Sequence, residues 1–173
     1  MKQLFSGSII CLLMLFSLAS CAQEDKSKRP SPPATVTQNV GAATIKIDYS
    51  QPSVKGRTIG KDLEPMAGKV WRTGANEATV FETNKDITVE SKPLAAGKYA
   101  LFSIANGADW TIIFNKKWEQ WGAYDYKEAD DALRVNVKSA KAAAFSEKLT
   151  FTVSPEGKVS ILWGDTAVDF NVK

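Results

Sequence analysis

A two-residue period in hydrophobicity dominates the chain from residue 35 onward. Residues 44–49 (TIKIDY) and 133–138 (LRVNVK) alternate polar and apolar, as do 149–153 (LTFTV) and 168–172 (VDFNV). Successive side chains of an extended strand point to opposite faces, so this pattern suits strands with one buried face and cannot lie still as a helix. Residues 99–104 and 110–114 are more continuously apolar and read as central strands, with Asn106-Gly107-Ala108-Asp109 turning between them. Ser154-Pro155-Glu156-Gly157 reads as a hairpin turn, because proline pre-sets φ at the second turn position. Residues 84–86 link 79–83 to 87–91. About nine strands at short, even spacing predict an antiparallel β-sandwich or jelly-roll-like domain over residues 35–173. Residues 139–147 (SAKAAAFSE) and 127–132 are the expected short helices. Residues 50–69, with two Pro and three Gly, form the longest irregular stretch. A loop that long in a compact domain is functional or packs as an Ω-loop.

The N-terminus has a different composition. Lys2 precedes an apolar run at 9–18 (IICLLMLFSL), the length of a signal-peptide core and short for a permanent bilayer span. The run ends in Leu18-Ala19-Ser20-Cys21, the small-residue pattern of a bacterial lipoprotein cleavage site. Residues 1–20 are therefore expected to be a lipoprotein signal peptide, with Cys21 acylated and the protein anchored to a membrane through lipid. Ordinary secretion, with Cys21 incidental, is the plainer alternative. Ala22 stands where an inner-membrane retention Asp would, which points to the outer membrane. Gln23-Glu24-Asp25 resembles a surface-export tract, so the periplasmic face and the cell surface both stay open. Residues 21–34 are charged, then Pro-rich, with nothing apolar to bury, and are expected to form a flexible tether.

Composition narrows the chemistry. Setting aside Lys2 leaves 21 basic against 19 acidic side chains, spread along the chain, which gives no nucleic-acid footprint. There is no histidine, and Cys11 and Cys21 both belong to the N-terminal segment. Ser-His-Asp triads, Cys-His pairs, disulfides and His- or thiolate-ligated metals are thereby excluded from the domain. An enzyme built on this chain would rely on carboxylates, Lys, Tyr, Ser/Thr or an oxygen-bound cation. No cofactor is expected.

Several stretches invite a chemical reading. Arg72-Thr73-Gly74 looks like the Lys-Thr-Gly box of serine β-lactamases, yet no serine has a lysine three residues later. Gly56-Arg57-Thr58-Ile59-Gly60-Lys61 is one residue short of a phosphate loop, with Asp62 in place of the hydroxyl residue. Neither motif holds. Asp125, Glu128, Asp130 and Asp131 lack the alternating spacing of a calcium loop, so no metal site is expected. Residues 118–126 (WEQWGAYDY) place four aromatics in nine positions among Glu119, Gln120 and Asp125. Trp121 and Tyr124 are candidates to stack on a sugar ring; the competing reading is that these rings cap one end of the core. Residues 70–79 (VWRTGANEAT) gather Trp71, Arg72, Asn76 and Glu77. With Lys55, Arg57 and Arg134 they suggest a cationic site for carboxylate or phosphate, or an internal pairing of Glu77 with Arg72 or Arg57 beside a loop held by Asn76.

Six segments carry a family resemblance: YSQPSVKGRTIG (49–60), GKVWRTGANEAT (68–79), AAGKYALFSI (95–104), WTIIFNK (110–116), WGAYDY (121–126) and LRVNVK (133–138). In this order they resemble the bacterial domain-of-unknown-function family numbered 2911. The resemblance implies a β-rich extracytoplasmic domain, often in lipoproteins of Bacteroidetes and relatives, and supplies no activity, substrate or catalytic residue. Met66-Ala67 before Gly68 departs from the usual shorter aromatic turn.

These readings converge on a lipid-anchored binding module with a glycan or peptide partner, using Arg57, Trp71, Arg72, Asn76, Glu77, Trp121, Tyr124 and Arg134 as candidate contacts. The alternatives are a carboxylate-based hydrolase or lyase, with Glu77 as general base and Arg72 or Arg57 stabilising negative charge, and a purely structural envelope protein.

Overall fold

A computed structural model describes residues 25–173; the expected signal peptide and the lipidation at Cys21 lie outside the described residues. The domain is almost entirely antiparallel β structure. Its ten strands are β1 (Pro33–Val40), β2 (Ala43–Ser50), β3 (Val70–Trp71), β4 (Val80–Thr83), β5 (Ile87–Val89), β6 (Lys92–Leu94), β7 (Gly97–Asn106), β8 (Asp109–Asn115), β9 (Asp131–Val153) and β10 (Lys158–Asn171). The main sheet runs β1-β2-β4-β7-β8-β9-β10, with β3 pairing β7 beside this path, and β5 and β6 form a separate hairpin.

The strand β9 gives the sheet its sandwich-like shape. Its first part, to Lys138, pairs with β8, and from Ser139 onward it pairs with β10. The sheet therefore curls over on itself. Beyond the curl, Val54 N–H donates to Glu147 O at 2.8 Å and Leu149 N–H to Pro52 O at 3.0 Å, so the segment after β2 meets β9 again. Between the two halves lies the main core, where Phe114 makes edge-on contacts with Phe81, Tyr99 and Phe170 at centroid distances of 5.0, 6.3 and 6.0 Å.

The alternation appears as expected along β2, where Ile45 and Ile47 are fully buried. The continuous apolar runs of β7 and β8 have a different cause. Tyr99, Leu101, Ile112 and Phe114 face the main core, while Ala100, Phe102 and Ile113 form a second apolar cluster on the opposite face. Strands buried on both faces lose their polar alternation.

Two expectations require correction. Residues 139–147 are not helical: they belong to β9, paired at Ser139↔Val168, Ala140↔Ala167 and Lys141↔Thr166. The helix propensity of alanine is overridden because the ladder with β10 takes these backbone groups. Residues 127–132 hold only a 3-10 turn at Glu128–Asp130. The expected boundary at residue 35 also shifts, since β1 starts at Pro33 and residues 26–31 bond to the domain as described below. The long 51–69 stretch packs inward through Ile59 and Leu63.

Phe114→Ala should remove the ring shared by three core contacts and lower stability by about 3–5 kcal/mol. Chemical denaturation of the two proteins measures it, and a loss below about 1 kcal/mol would contradict this account of the core.

Candidate functional site

The 70–79 segment leaves β3 and turns tightly. Trp71 Nε1 donates to Gly74 O at 3.0 Å, and Thr79 Oγ1 donates to Thr73 O at 2.9 Å. Thr73 and Asn76 both have positive φ, 49° and 58°, a backbone region that costs a β-branched threonine energy. The fully buried Thr73 shares a 3.0 Å hydrogen bond with Ser103 on β7, which holds it there. Gly74 is required by close approach, because a Cβ would stand 2.8 Å from Thr79 Oγ1.

This segment and the aromatic loop are joined. Ala78 N–H donates to Gln120 O at 3.0 Å, Gly122 N–H to Asn76 O at 3.1 Å, and Glu77 bridges Trp121. The four rings of the loop divide. Trp118 and Tyr126 pack on the second apolar cluster, Tyr126 edge-on to Phe102 at 5.1 Å. Trp121 and Tyr124 stand outward, 52% and 83% exposed. The capping reading therefore holds for Trp118 and Tyr126, whereas Trp121 and Tyr124 are exposed. Lys98 Nζ lies 5.0 Å over the Trp118 ring, and the Arg29 guanidinium 5.8 Å over that of Trp121.

Glu77 does not pair with Arg72 or Arg57. Its carboxylate accepts from Lys26 Nζ at 2.8 Å and from Arg29 Nη1 at 2.9 and 3.0 Å, while Asn76 Nδ2 donates to Ser31 O at 3.0 Å. The pairing partners come from the stretch read as tether, where their charge gave no sign of a contact some fifty residues away. Burial alone would raise the Glu77 pKa; bonds from Lys26, its own backbone and Arg29 outweigh it and hold the group at about 2. A carboxylate that acidic and so closely paired is a poor general base near neutral pH.

The arginines diverge as well. Arg134 is committed inside the domain, its Nη1 donating to Glu128 at 2.9 Å, Nη2 to the Tyr126 hydroxyl at 3.1 Å, and Nε lying 3.0 Å from Asp131. Burial, then the Asp131 bond, pushes the Tyr126 hydroxyl up to about 12. Asp130 faces Lys117, so Glu128, Asp130 and Asp131 all spend their charge on cations. Arg57 caps its own loop, donating from Nε to Val54 O at 3.2 Å and from Nη2 to Ser53 O at 2.7 Å. Arg72 makes no hydrogen bond or ion pair among the described residues, and its buried Nε is unpartnered.

Arg57 and Arg72 do meet in space. Together with Trp71, Trp163, Leu63 and Glu64 they line a cleft of about 200 Å³. Trp163 escaped the sequence reading, since its indole is buried in β10, roughly ninety residues from Arg72, and donates to Glu64 O at 2.8 Å. Neither Trp121 nor Tyr124 is among the residues that line the cleft.

What this defines is an all-β, sandwich-like domain whose tight 70–79 turn is bonded to an aromatic loop. A family model described as "Protein of unknown function (DUF2911)" matches residues 31–172, and the chain belongs to that family. No curated protein and no solved structure matches it significantly.

Because the folded-state pKa of Glu77 lies below its ordinary 4.5, its pairing stabilises the fold above that pH and is lost as pH falls toward 2. Glu77→Gln should lower stability at pH 7 by no more than about 1 kcal/mol, since the carboxylate is 38% exposed and screened. Thermal melts from pH 7 to 2 should show the two proteins converging as pH drops through this window. Parallel curves would contradict the assignment.

Proposed function

We propose that this protein is a lipid-anchored extracytoplasmic binding module that engages a glycan through Trp121 and Tyr124. One observation carries the reading: two large rings stand in solvent on a loop whose remaining rings are packed and whose backbone is bonded to the 70–79 turn. Exposed aromatics held on a fixed frame lose little conformational entropy on binding, and their faces suit the C–H side of a sugar ring. Glu119 and Asp125 flank them with exposed carboxylates for hydroxyl groups. A peptide partner would use the same rings as anchors.

The anchor rests on the sequence at Cys21. Among the described residues no helix is long and apolar enough to cross a membrane. Residues 26–31 are bonded to the domain beside the proposed binding face, so a lipid at Cys21 would hold that face within a few residues of its attachment point. The hydrolase reading is disfavoured by the closed pairing of Glu77 with Lys26 and Arg29.

The double substitution Trp121→Ala and Tyr124→Ala should abolish glycan-array signal while shifting Tm by no more than a few degrees, as befits exposed residues. Loss of stability with binding retained would remove this face from consideration, and retained peptide capture with no glycan signal would reassign the partner. For the anchor, the native protein should incorporate labelled palmitate and Cys21→Ser should end that incorporation; no label in the native protein, or equal label in the variant, would reject lipidation at Cys21.

A further inference from the structure

We infer that the cleft between Trp71 and Trp163 is a second binding site, selective for a carboxylate attached to a small apolar body. The cleft holds two guanidinium groups in different states. Arg57 is positioned, because two of its donors are fixed on Ser53 O and Val54 O while Nη1 makes no hydrogen bond among the described residues. Arg72 is half-buried with no hydrogen bond or ion pair among the described residues, and its Nε is shielded from solvent. A shielded N–H without an acceptor costs free energy, and buried polar groups in folded proteins are overwhelmingly paired. Glu77, five residues further along the chain, does not neutralise Arg72, because its carboxylate pairs with Lys26 and Arg29.

The Arg72 side chain passes close to the aromatic loop: a Cβ on Gly122 would stand 3.0 Å from Arg72 Nη1 and 3.0 Å from the Tyr124 ring. The turn carrying Arg72 is pinned by Trp71, Thr73 and Thr79, with Thr73 in a strained conformation. Strain of this kind persists where the surroundings over-determine the backbone and serves to pre-organise a site.

The surroundings favour a carboxylate over a phosphate. A guanidinium fork matches two carboxylate oxygens, whereas sites for a dianionic phosphate gather several backbone N–H groups or extra cations. Here Leu63, Pro52 and two indoles supply apolar walls, and Glu64 at the cleft adds a negative charge that disfavours a dianion. The volume of about 200 Å³ limits the ligand to a small molecule or a chain end. This site is independent of the Trp121–Tyr124 reading, and failure of either leaves the other standing.

The test uses the 15N-labelled full chain in detergent, with the indole N–H resonances of Trp71 and Trp163 as reporters. Hexanoate, its uncharged analogue hexanol and inorganic phosphate are titrated separately. Hexanoate should shift both resonances saturably, with little response to hexanol or phosphate. Arg72→Gln should weaken hexanoate binding about tenfold or more, while Lys61→Gln, an equal charge change on the same side of the domain, should leave it intact. If Arg72→Gln fails to fold, Arg72→Lys, which keeps the charge but not the fork, should also weaken binding. An absent or unsaturable response to hexanoate, equal affinity in the Arg72 variants, or tighter binding of phosphate would each overturn the assignment.

Discussion

Burial of β7 and β8 on both faces is the constraint from which the rest of the structure follows. One face is covered by the curl of β9 and β10, which closes the main core. The other face, carrying Ala100, Phe102 and Ile113, needs a separate cover, and the 118–126 loop supplies it through Trp118 and Tyr126. Once that loop lies over the sheet, its backbone is within reach of the 70–79 turn, and the bonds at Ala78 and Gly122 fix the two together. The exposed placement of Trp121 and Tyr124 is therefore set by the packing of their neighbours. A loop anchored through its first and last rings presents the two between them to solvent.

Much of this was legible in the sequence because period-two alternation is a local property that burial on one face imposes directly. It marked the strands at 44–49, 133–138, 149–153 and 168–172, while the 106–109 and 154–157 turns were legible from Asn, Gly and Pro, and β7 and β8 from their continuous apolar runs. The 139–147 segment was misread for the same reason that the others succeeded. Its four alanines and Lys141 carry a local preference for helix, and the partner that overrules it, residues 164–168 of β10, follows after an intervening hairpin. The aromatic loop was only half legible, since sequence spacing says which rings are close together but not which of them meet Phe102.

The candidate site shows the same limit in its charges. Trp71, Arg72, Asn76 and Glu77 drew attention by crowding, and the structure does bring Arg57 and Arg72 to one cleft. The partner of Glu77 was misjudged because nearness along the chain favoured Arg72, whereas three-dimensional nearness favoured Lys26 and Arg29. Arg134, equally prominent as a lone cation in a strand, is consumed by Glu128, Asp131 and Tyr126. Nothing in a single sequence separates an arginine with three internal partners from one with none.

That difference is what gives Arg72 its weight. Other arginines of the described domain have partners: Arg134 on a carboxylate and phenol network, although its Nε too makes no hydrogen bond and only lies 3.0 Å from Asp131, Arg57 on carbonyls, and Arg29 on Glu77. The carboxylate of Glu77 pairs with the N-terminal segment, and the turn carbonyls of Thr73 and Gly74 accept from Thr79 and Trp71. Arg72 thus lines the cleft with no hydrogen bond or ion pair among the described residues, which leaves its guanidinium available to an anionic ligand.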